Sequence, residues 1–239
     1  VSTALVLSAG GMFAAWEVGV WKSLSRRFQP DCIVGASAGA WNGWVVASGC
    51  GGEELTALWL DPSLAAIFPH PAVLHEKARQ LFDRFRPRIP IGLTVVEVPW
   101  LRQRLVRDSA ITWRHLAATC SIPLVFPPVR IEGAYFVDGG FLGALPLWAA
   151  SEMGATRVIA VNALGGPDRP AGLGAIAALH ALARPLAKSC PADLEVLRIE
   201  PSTPLGSVSD ALRWSRANIE RWIDQGERDA NRACTSITM

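Results

Sequence analysis

The sequence is short of charge, of lysine and of tyrosine. Only 18% of its 239 residues are charged; the lysines are Lys22, Lys77 and Lys188, and there is a single tyrosine. With a formal net charge of +2 and no stretch interleaving lysine with aromatics, the chain offers nothing to a nucleic acid partner. The five cysteines, Cys32, Cys50, Cys120, Cys190 and Cys234, are odd in number, widely spaced and never in C-x-x-C. That pattern argues against a disulfide framework or a zinc site, and for a reducing compartment such as the cytoplasm. No acidic cluster suits Ca²⁺ and no cofactor motif is present, so neither a metal nor a cofactor is expected. The longest apolar stretches, Val1 to Trp16 and Ala171 to Ala183, fall short of the roughly 20 residues that a membrane-spanning helix needs. The first lacks a basic leader and flows into Glu17 and a helical pattern, which reads as mature structure and not as a signal peptide. No repeat and no low-complexity tract interrupts the chain.

What the chain does have is apolar surface to bury. Half of its residues are hydrophobic, enough for residues 1–239 to form one domain with a large core, and apolar enough to suggest a surface that meets lipid or a partner. Thr3 to Ser8 is apolar throughout, as in a strand covered on both faces. Ala9-Gly10-Gly11 turns it into a helix from about Met12 to Arg26. Asp31 to Val34 reads as a second buried strand and Ala40 to Ala47 as a second helix, and this alternation predicts a parallel α/β sheet. Further helices are expected at Glu53 to Leu60, Val73 to Phe85, Ser109 to Cys120, Ala171 to Ala183 and Ser209 to Arg228. Further strands are expected at Leu93 to Val98, Val129 to Glu132, Tyr135 to Val137, Arg157 to Val161 and Leu194 to Ile199.

Between the second strand and its helix stands Gly35-Ala36-Ser37-Ala38-Gly39. A G-x-S-x-G at a strand-to-helix turn holds its serine in a strained conformation with the hydroxyl exposed above the sheet, and the small flanking residues let strand and helix pass closely. A serine at neutral pH needs a base, and the oxyanion formed on attack needs preorganised donors. The loop Gly10-Gly11-Met12 opens a helix at the end of the first strand, where backbone N–H groups face a developing negative charge. For the base there are two candidates. Asp138 follows a strand-like Tyr135-Phe136-Val137 and precedes Gly139-Gly140; taken alone, an aspartate so placed commonly caps its own turn. The histidines are His70, His75, His115 and His180, and the order Ser37, Asp138, His180 matches that of α/β-hydrolase triads. In those enzymes several strands precede the nucleophile, whereas here one does. His180 also lies within an apolar helical stretch, where a packed histidine is the usual role.

Together these residues resemble the patatin-like phospholipase family. They comprise Ser8-Ala9-Gly10-Gly11, Val18-Gly19-Val20, Gly35-Ala36-Ser37-Ala38-Gly39, the stretch Ile122-Pro123 through Phe126-Pro127-Pro128-Val129 with Gly133 and Tyr135, and Asp138-Gly139-Gly140. The resemblance covers about Ala4 to Val161. It implies a three-layer α/β/α fold with a mainly parallel central sheet. It also implies a lipid acyl hydrolase of the phospholipase A, lysophospholipase or carboxylesterase type, with Ser37 and Asp138 as a catalytic dyad without histidine. Gly10, Gly11 and Met12 would form the oxyanion hole, with no cofactor or metal. The implied partner is a lipid or other acyl ester, with peripheral contact at membranes. An acyltransferase using the same serine, and a lipid-binding relative without activity, are the alternatives. The oxyanion loop departs from the family's G-G-G-x-[Arg or Lys]-G: the aligned positions are Ala9, Gly10, Gly11, Met12, Phe13 and Ala14, so two glycines survive and Phe13 stands where members carry Arg or Lys. The departure implies lower activity or a less charged substrate.

Two further features admit two readings each. Trp16, Trp41 and Trp44 beside the serine suit an acyl channel or ordinary core packing. Arg84, Arg86 and Arg88 among Phe82 and Phe85 suit a lid over anionic lipid or a solvated surface loop.

Overall fold

The computed structural model describes residues 2–165 and 184–237. The helix expected at Ala171 to Ala183, with His180, lies outside the described residues. Eight strands form a single sheet: β1 (Thr3–Leu7), β2 (Cys32–Ala36), β3 (Ile91–Val98), β4 (Arg102–Arg107), β5 (Val129–Ile131), β6 (Ala134–Asp138), β7 (Arg157–Val161) and β8 (Glu195–Ile199). Their order is β5-β6-β3-β2-β1-β7-β8, with β4 also on β3. The five strands from β3 to β8 in that order pair parallel, while β4, β5 and β6 are antiparallel additions. The helices are α1 (Ala14–Leu24), α2 (Ala38–Ala47), α3 (Gly52–Trp59), α4 (Pro71–Arg84), α5 (Trp113–Thr119), α6 (Leu147–Glu152), α7 (Val208–Leu212) and α8 (Arg216–Ile237).

The central strands are apolar at most positions because both faces are covered. Successive side chains on a strand point to opposite faces. Leu5, Leu7, Ile33, Ile91 and Leu93 accordingly pack with α1, α2 and α8 in one cluster. Ala4, Val6, Val34, Val158 and Ala160 pack with Leu147 to Ala150 of α6 in the other. The layers are therefore helix, sheet, helix.

Two elements have no counterpart in the expectations from sequence, and two expected helices need correction. β4 went unread because Arg102, Arg104 and Arg107 make it look like a solvated loop; it is an antiparallel strand on which those arginines lie exposed. α6 has six residues, too few for a helical period to show. The helix expected over Ser109 to Cys120 is a 3-10 turn, Asp108–Ala110, followed by α5, whose start is capped at Thr112. The closing helix is split into α7 and α8: Arg213 is extended, with φ −118 and ψ 117, and the Trp214 indole N–H is tied to the Trp59 carbonyl at 2.9 Å. A tertiary bond at the break overrides a continuous helical pattern.

Candidate active site

Ser37 is the only residue between β2 and α2, and its backbone sits at φ 53, ψ −132. A side chain there costs on the order of 1–3 kcal/mol and persists only where the surroundings enforce it. The enforcement is visible on both sides. A Cβ on Gly39 would lie 2.3 Å from the Ser8 carbonyl oxygen, and one on Gly35 would lie 2.5 Å from Ala40 Cα. The helix therefore crosses the strand ends at a distance open to glycine alone. The Ser37 N–H donates to Thr119 Oγ1 at 2.9 Å, and that hydroxyl donates to the Thr94 carbonyl at 2.8 Å. Neither threonine was singled out from sequence, since no motif surrounds them.

Sheet register brings the aspartate to the serine. Thr94 of β3 pairs with Ala36, the last residue of β2, while Val95 pairs with Asp138, the last residue of β6. β4 pairs with β3 over Gly92 to Glu97, overlapping both, so β2 and β6 must share the opposite edge of β3. β6 thus arrives end to end against β2, and Asp138 falls at the position that Ser37 occupies in the turn.

The two side chains meet. Ser37 Oγ donates to Asp138 Oδ2 at 2.6 Å, and Oδ1 accepts the Gly140 N–H at 2.7 Å. Both residues are buried. Burial pushes the Asp138 carboxyl up to about 7, against the opposing pull of its bonds from Ser37 and Gly140. The three described histidines are engaged elsewhere. His70 Nδ1 meets the Ala66 carbonyl at 3.0 Å, the His75 ring packs against Trp113, and His115 Nδ1 accepts the Thr112 N–H at 3.1 Å.

After β1, Gly10 is extended, Gly11 has φ +56, and a 3-10 turn over Gly11–Phe13 leads into α1. The N–H groups of Gly10, Gly11 and Met12 have no acceptor among the described residues. Free N–H groups at a helix start are what an anion requires, and Gly11 and Met12 line the same cavity as Ser37. Phe13 points away: it is buried and meets the Trp222 ring edge-on at 5.0 Å. The departure from the family pattern is a core contact with α8.

Behind this loop lies a buried polar chain that the sequence did not reveal. Ser8 Oγ accepts the Ala163 N–H at 2.9 Å and donates to Glu17 Oε1 at 3.2 Å. Asn42 Nδ2 donates to Glu17 Oε2 at 2.9 Å, and Asn42 Oδ1 accepts the Trp59 indole N–H at 2.8 Å. Burial pushes the Glu17 carboxyl up to about 8. Its one signal in the sequence is a lone carboxylate amid the apolar run of α1.

Ser37 opens on a cavity of about 160 Å³, walled by apolar side chains such as Trp41, Val45, Leu55, Leu58, Leu81 and Phe85. Polar groups reach it at Asp61, Lys77, Gln80 and Arg84, and Lys77 is paired to Asp61 at 3.1 Å. Of the three tryptophans near the serine, Trp41 lines the cavity. Trp16 is fully buried with its N–H on Asp229, and Trp44 is buried against Phe82. In the arginine-bearing segment Phe85 is buried and, with Leu81 and Arg84, lines the cavity, and the Arg88 N–H is bonded to the Ala47 carbonyl at 2.7 Å.

Among the described residues no group of His, Cys, Asp or Glu could hold a metal ion, and no helix is long and apolar enough to cross a membrane. Cys32, Cys50, Cys120 and Cys190 are free thiols.

The family model described as patatin-like phospholipase matches residues 5–151, a span from β1 to α6 that contains the loop after β1, Ser37 and Asp138. The lysophospholipase NTE1 of Mycosarcoma maydis is 28% identical over 184 residues, covering 68% of this chain and 10% of that protein. Patatin-like phospholipase domain-containing protein 6 of Mus musculus is 26% identical over 180 residues, covering 66% of this chain and 13% of that protein. The chain spans about a tenth of the length of these curated relatives. Among solved structures, VipD from Legionella pneumophila aligns with a TM-score of 0.53 at 13% identity, over 98% of this chain and 67% of that one, a likeness of fold.

Proposed function

The chain belongs to the patatin-like phospholipase family, and from that premise we propose that residues 1–239 act as one acyl-hydrolase domain that cleaves lipid esters through Ser37 and Asp138. The observation that carries the reading is the 2.6 Å bond from Ser37 Oγ to Asp138 Oδ2, at a strained turn facing an apolar cavity. Ser37 Oγ attacks the ester carbonyl as its proton passes to Asp138 Oδ2. The carbonyl oxygen gains the electron pair and is met by the N–H groups of Gly10, Gly11 and Met12. Collapse breaks the ester bond, the leaving alkoxide takes the proton from Asp138, and an acyl-Ser37 remains. Water, deprotonated by Asp138, then releases the fatty acid and restores the serine.

An aspartate is a weak base at its usual pKa near 3.9. Burial, which raises Asp138 to about 7, brings its basicity close to the working pH, the optimum for proton transfer. The apolar cavity suits an acyl chain. The relatives named lysophospholipase favour a single-chain substrate, and an ester held in micelles or bilayers brings the protein into peripheral contact with a membrane.

The test is intact-protein and peptide mass spectrometry after exposure to a fluorophosphonate, with fatty acid release from a lysophospholipid measured in parallel. Labelling confined to Ser37, lost in Ser37→Ala together with acid release, is the expected result. A folded protein that takes no label would contradict the assignment.

A further inference from the structure

The end of the sheet beyond Ser37 carries apolar surface that neither the core nor the catalytic cavity accounts for. β3 continues four residues past its last pairing with β2, from Thr94 to Val98, a reach of about 13 Å at 3.3 Å per residue. The β3–β4 turn, the β5–β6 turn and the loop from Ile122 to Pro128 all gather at this end. The most exposed large hydrophobic side chains among the described residues are Leu124 at 70%, Trp100 at 67%, Leu186 at 56% and Tyr135 at 48%, and all four belong to this region. Leu124 lines an open apolar groove with Val98, Leu101, Pro123, Phe126 and Pro128. Trp100 adjoins Leu101 at the turn, Tyr135 is the cross-strand partner of Val98, and Leu186 precedes Ala187, which packs on the same cluster.

The loop that walls this groove also walls the active site. Cys120 and Ile122 face the catalytic cavity, whereas Pro123 and Leu124 face the groove. At the rim Arg102 and Arg130 are exposed, and neither makes an ion pair among the described residues. Glu97, the carboxylate between the strands, is held by Arg104 at 2.7 Å, leaving Glu132 as the exposed acid of the β5–β6 turn. Apolar and indole side chains on protruding turns, with arginines behind them, fit the boundary between acyl chains and anionic headgroups. Large apolar side chains exposed together at one end of the sheet, beside an apolar groove, differ from scattered single ones and mark an interaction surface.

We infer that this end of the sheet docks on an anionic lipid bilayer, seating Trp100 and Leu124 among the acyl chains so that the catalytic cavity beside them opens toward the membrane. The inference rests on the lipid-ester hydrolase reading and adds the surface that delivers the substrate.

The experiment is co-sedimentation of the Ser37→Ala protein, which cannot alter the vesicles, with phosphatidylcholine vesicles with and without phosphatidylserine. Binding that is stronger with phosphatidylserine is expected. Adding Trp100→Ser and Leu124→Ser should weaken it at least about tenfold, as the loss of two inserted apolar side chains predicts. Adding Arg102→Gln and Arg130→Gln should erase the preference for the anionic lipid. Because these side chains are exposed, the melting temperature should stay unchanged. With Ser37 restored, fluorophosphonate labelling and hydrolysis of a water-soluble short-chain ester should also stay unchanged, which separates loss of docking from loss of chemistry. Undiminished vesicle binding by the Trp100/Leu124 variant, or no binding by its parent, would overturn the inference. So would a dimer in size-exclusion light scattering that Leu124→Ser dissolves while vesicle binding persists, since the face would then join two copies of the chain.

Discussion

The two glycine-bearing turns of the site are built in opposite ways. The turn after β2 is specified by its own strand and helix and by the neighbouring end of β1. Gly35 and Gly39 exist for the close passage of α2 over the strand ends, and among the described residues the Ser37 N–H is bonded to Thr119. The loop after β1 is held from far along the chain. The Ala9 N–H is bonded to the Ala144 carbonyl at 2.8 Å, Ser8 accepts from Ala163, a Cβ on Gly11 would lie 2.3 Å from the Ala211 carbonyl oxygen, and Phe13 is seated on Trp222. The nucleophile turn is thus a local feature, and the anion-binding loop is a tertiary one.

Changes that separate the two turns should have graded effects. The largest is expected at Gly39→Val, where strand and helix cannot both keep their places; loss of the cooperative melting transition and of soluble yield would show it. Gly11→Ala should be milder and differently expressed. A side chain there disfavours φ +56 and pushes against α7, so the loop's donors shift while the sheet persists. Fluorophosphonate labelling of Ser37 should fall about 10²–10³-fold, as on removal of one oxyanion donor, with the circular dichroism spectrum retained. Labelling at the parent rate would remove this loop from the mechanism.

Glu17→Gln probes the support behind the loop. Folded Glu17 keeps its proton to about pH 8 against an ordinary value of 4.5, and folded Asp138 keeps its own to about 7 against 3.8. Between these values the folded state binds more protons than the unfolded one, so stability falls as pH rises. The melting temperature of the parent should decline from about pH 4.5 to about pH 8. In Glu17→Gln the decline should be shallower and should end near pH 7, where only Asp138 contributes. An unchanged slope would mean that Glu17 is ionised in the folded protein. Smallest of all is Phe13→Leu, a change in packing on Trp222 of about 1–2 kcal/mol. Labelling within about twofold of the parent would keep position 13 out of the site, and a larger fall would bring it in.

The same contrast explains what could be read from the sequence. Ser37 and its glycines were legible because their chemistry is written within five residues, and the parallel strands because they are apolar on both faces. Gly10 and Gly11 were legible as a loop, but their supports at Ala144, Ala163 and Ala211 were not, since alanines far along the chain carry no motif. Asp138 was a candidate that geometry had to decide, because only the register of β3 against both β2 and β6 shows that it ends beside the serine. β4 was hidden by its arginines, the break between α7 and α8 by a tryptophan bonded to a distant carbonyl, and Glu17 by its isolation in an apolar helix. The supports of the loop after β1 and the break before α8 depend on partners far along the chain and left no local trace.

The central claim is that Asp138 alone serves as base to Ser37. The most direct measurement is the rate of fluorophosphonate labelling of Ser37 against pH in the parent, in Asp138→Asn and in His180→Ala. The dyad predicts a parent rate that rises through about pH 7 and levels above it, as Asp138 loses its proton. It predicts a loss of at least about 10³-fold in Asp138→Asn at every pH, and little change in His180→Ala. A labelling rate that survives Asp138→Asn and collapses in His180→Ala would contradict it.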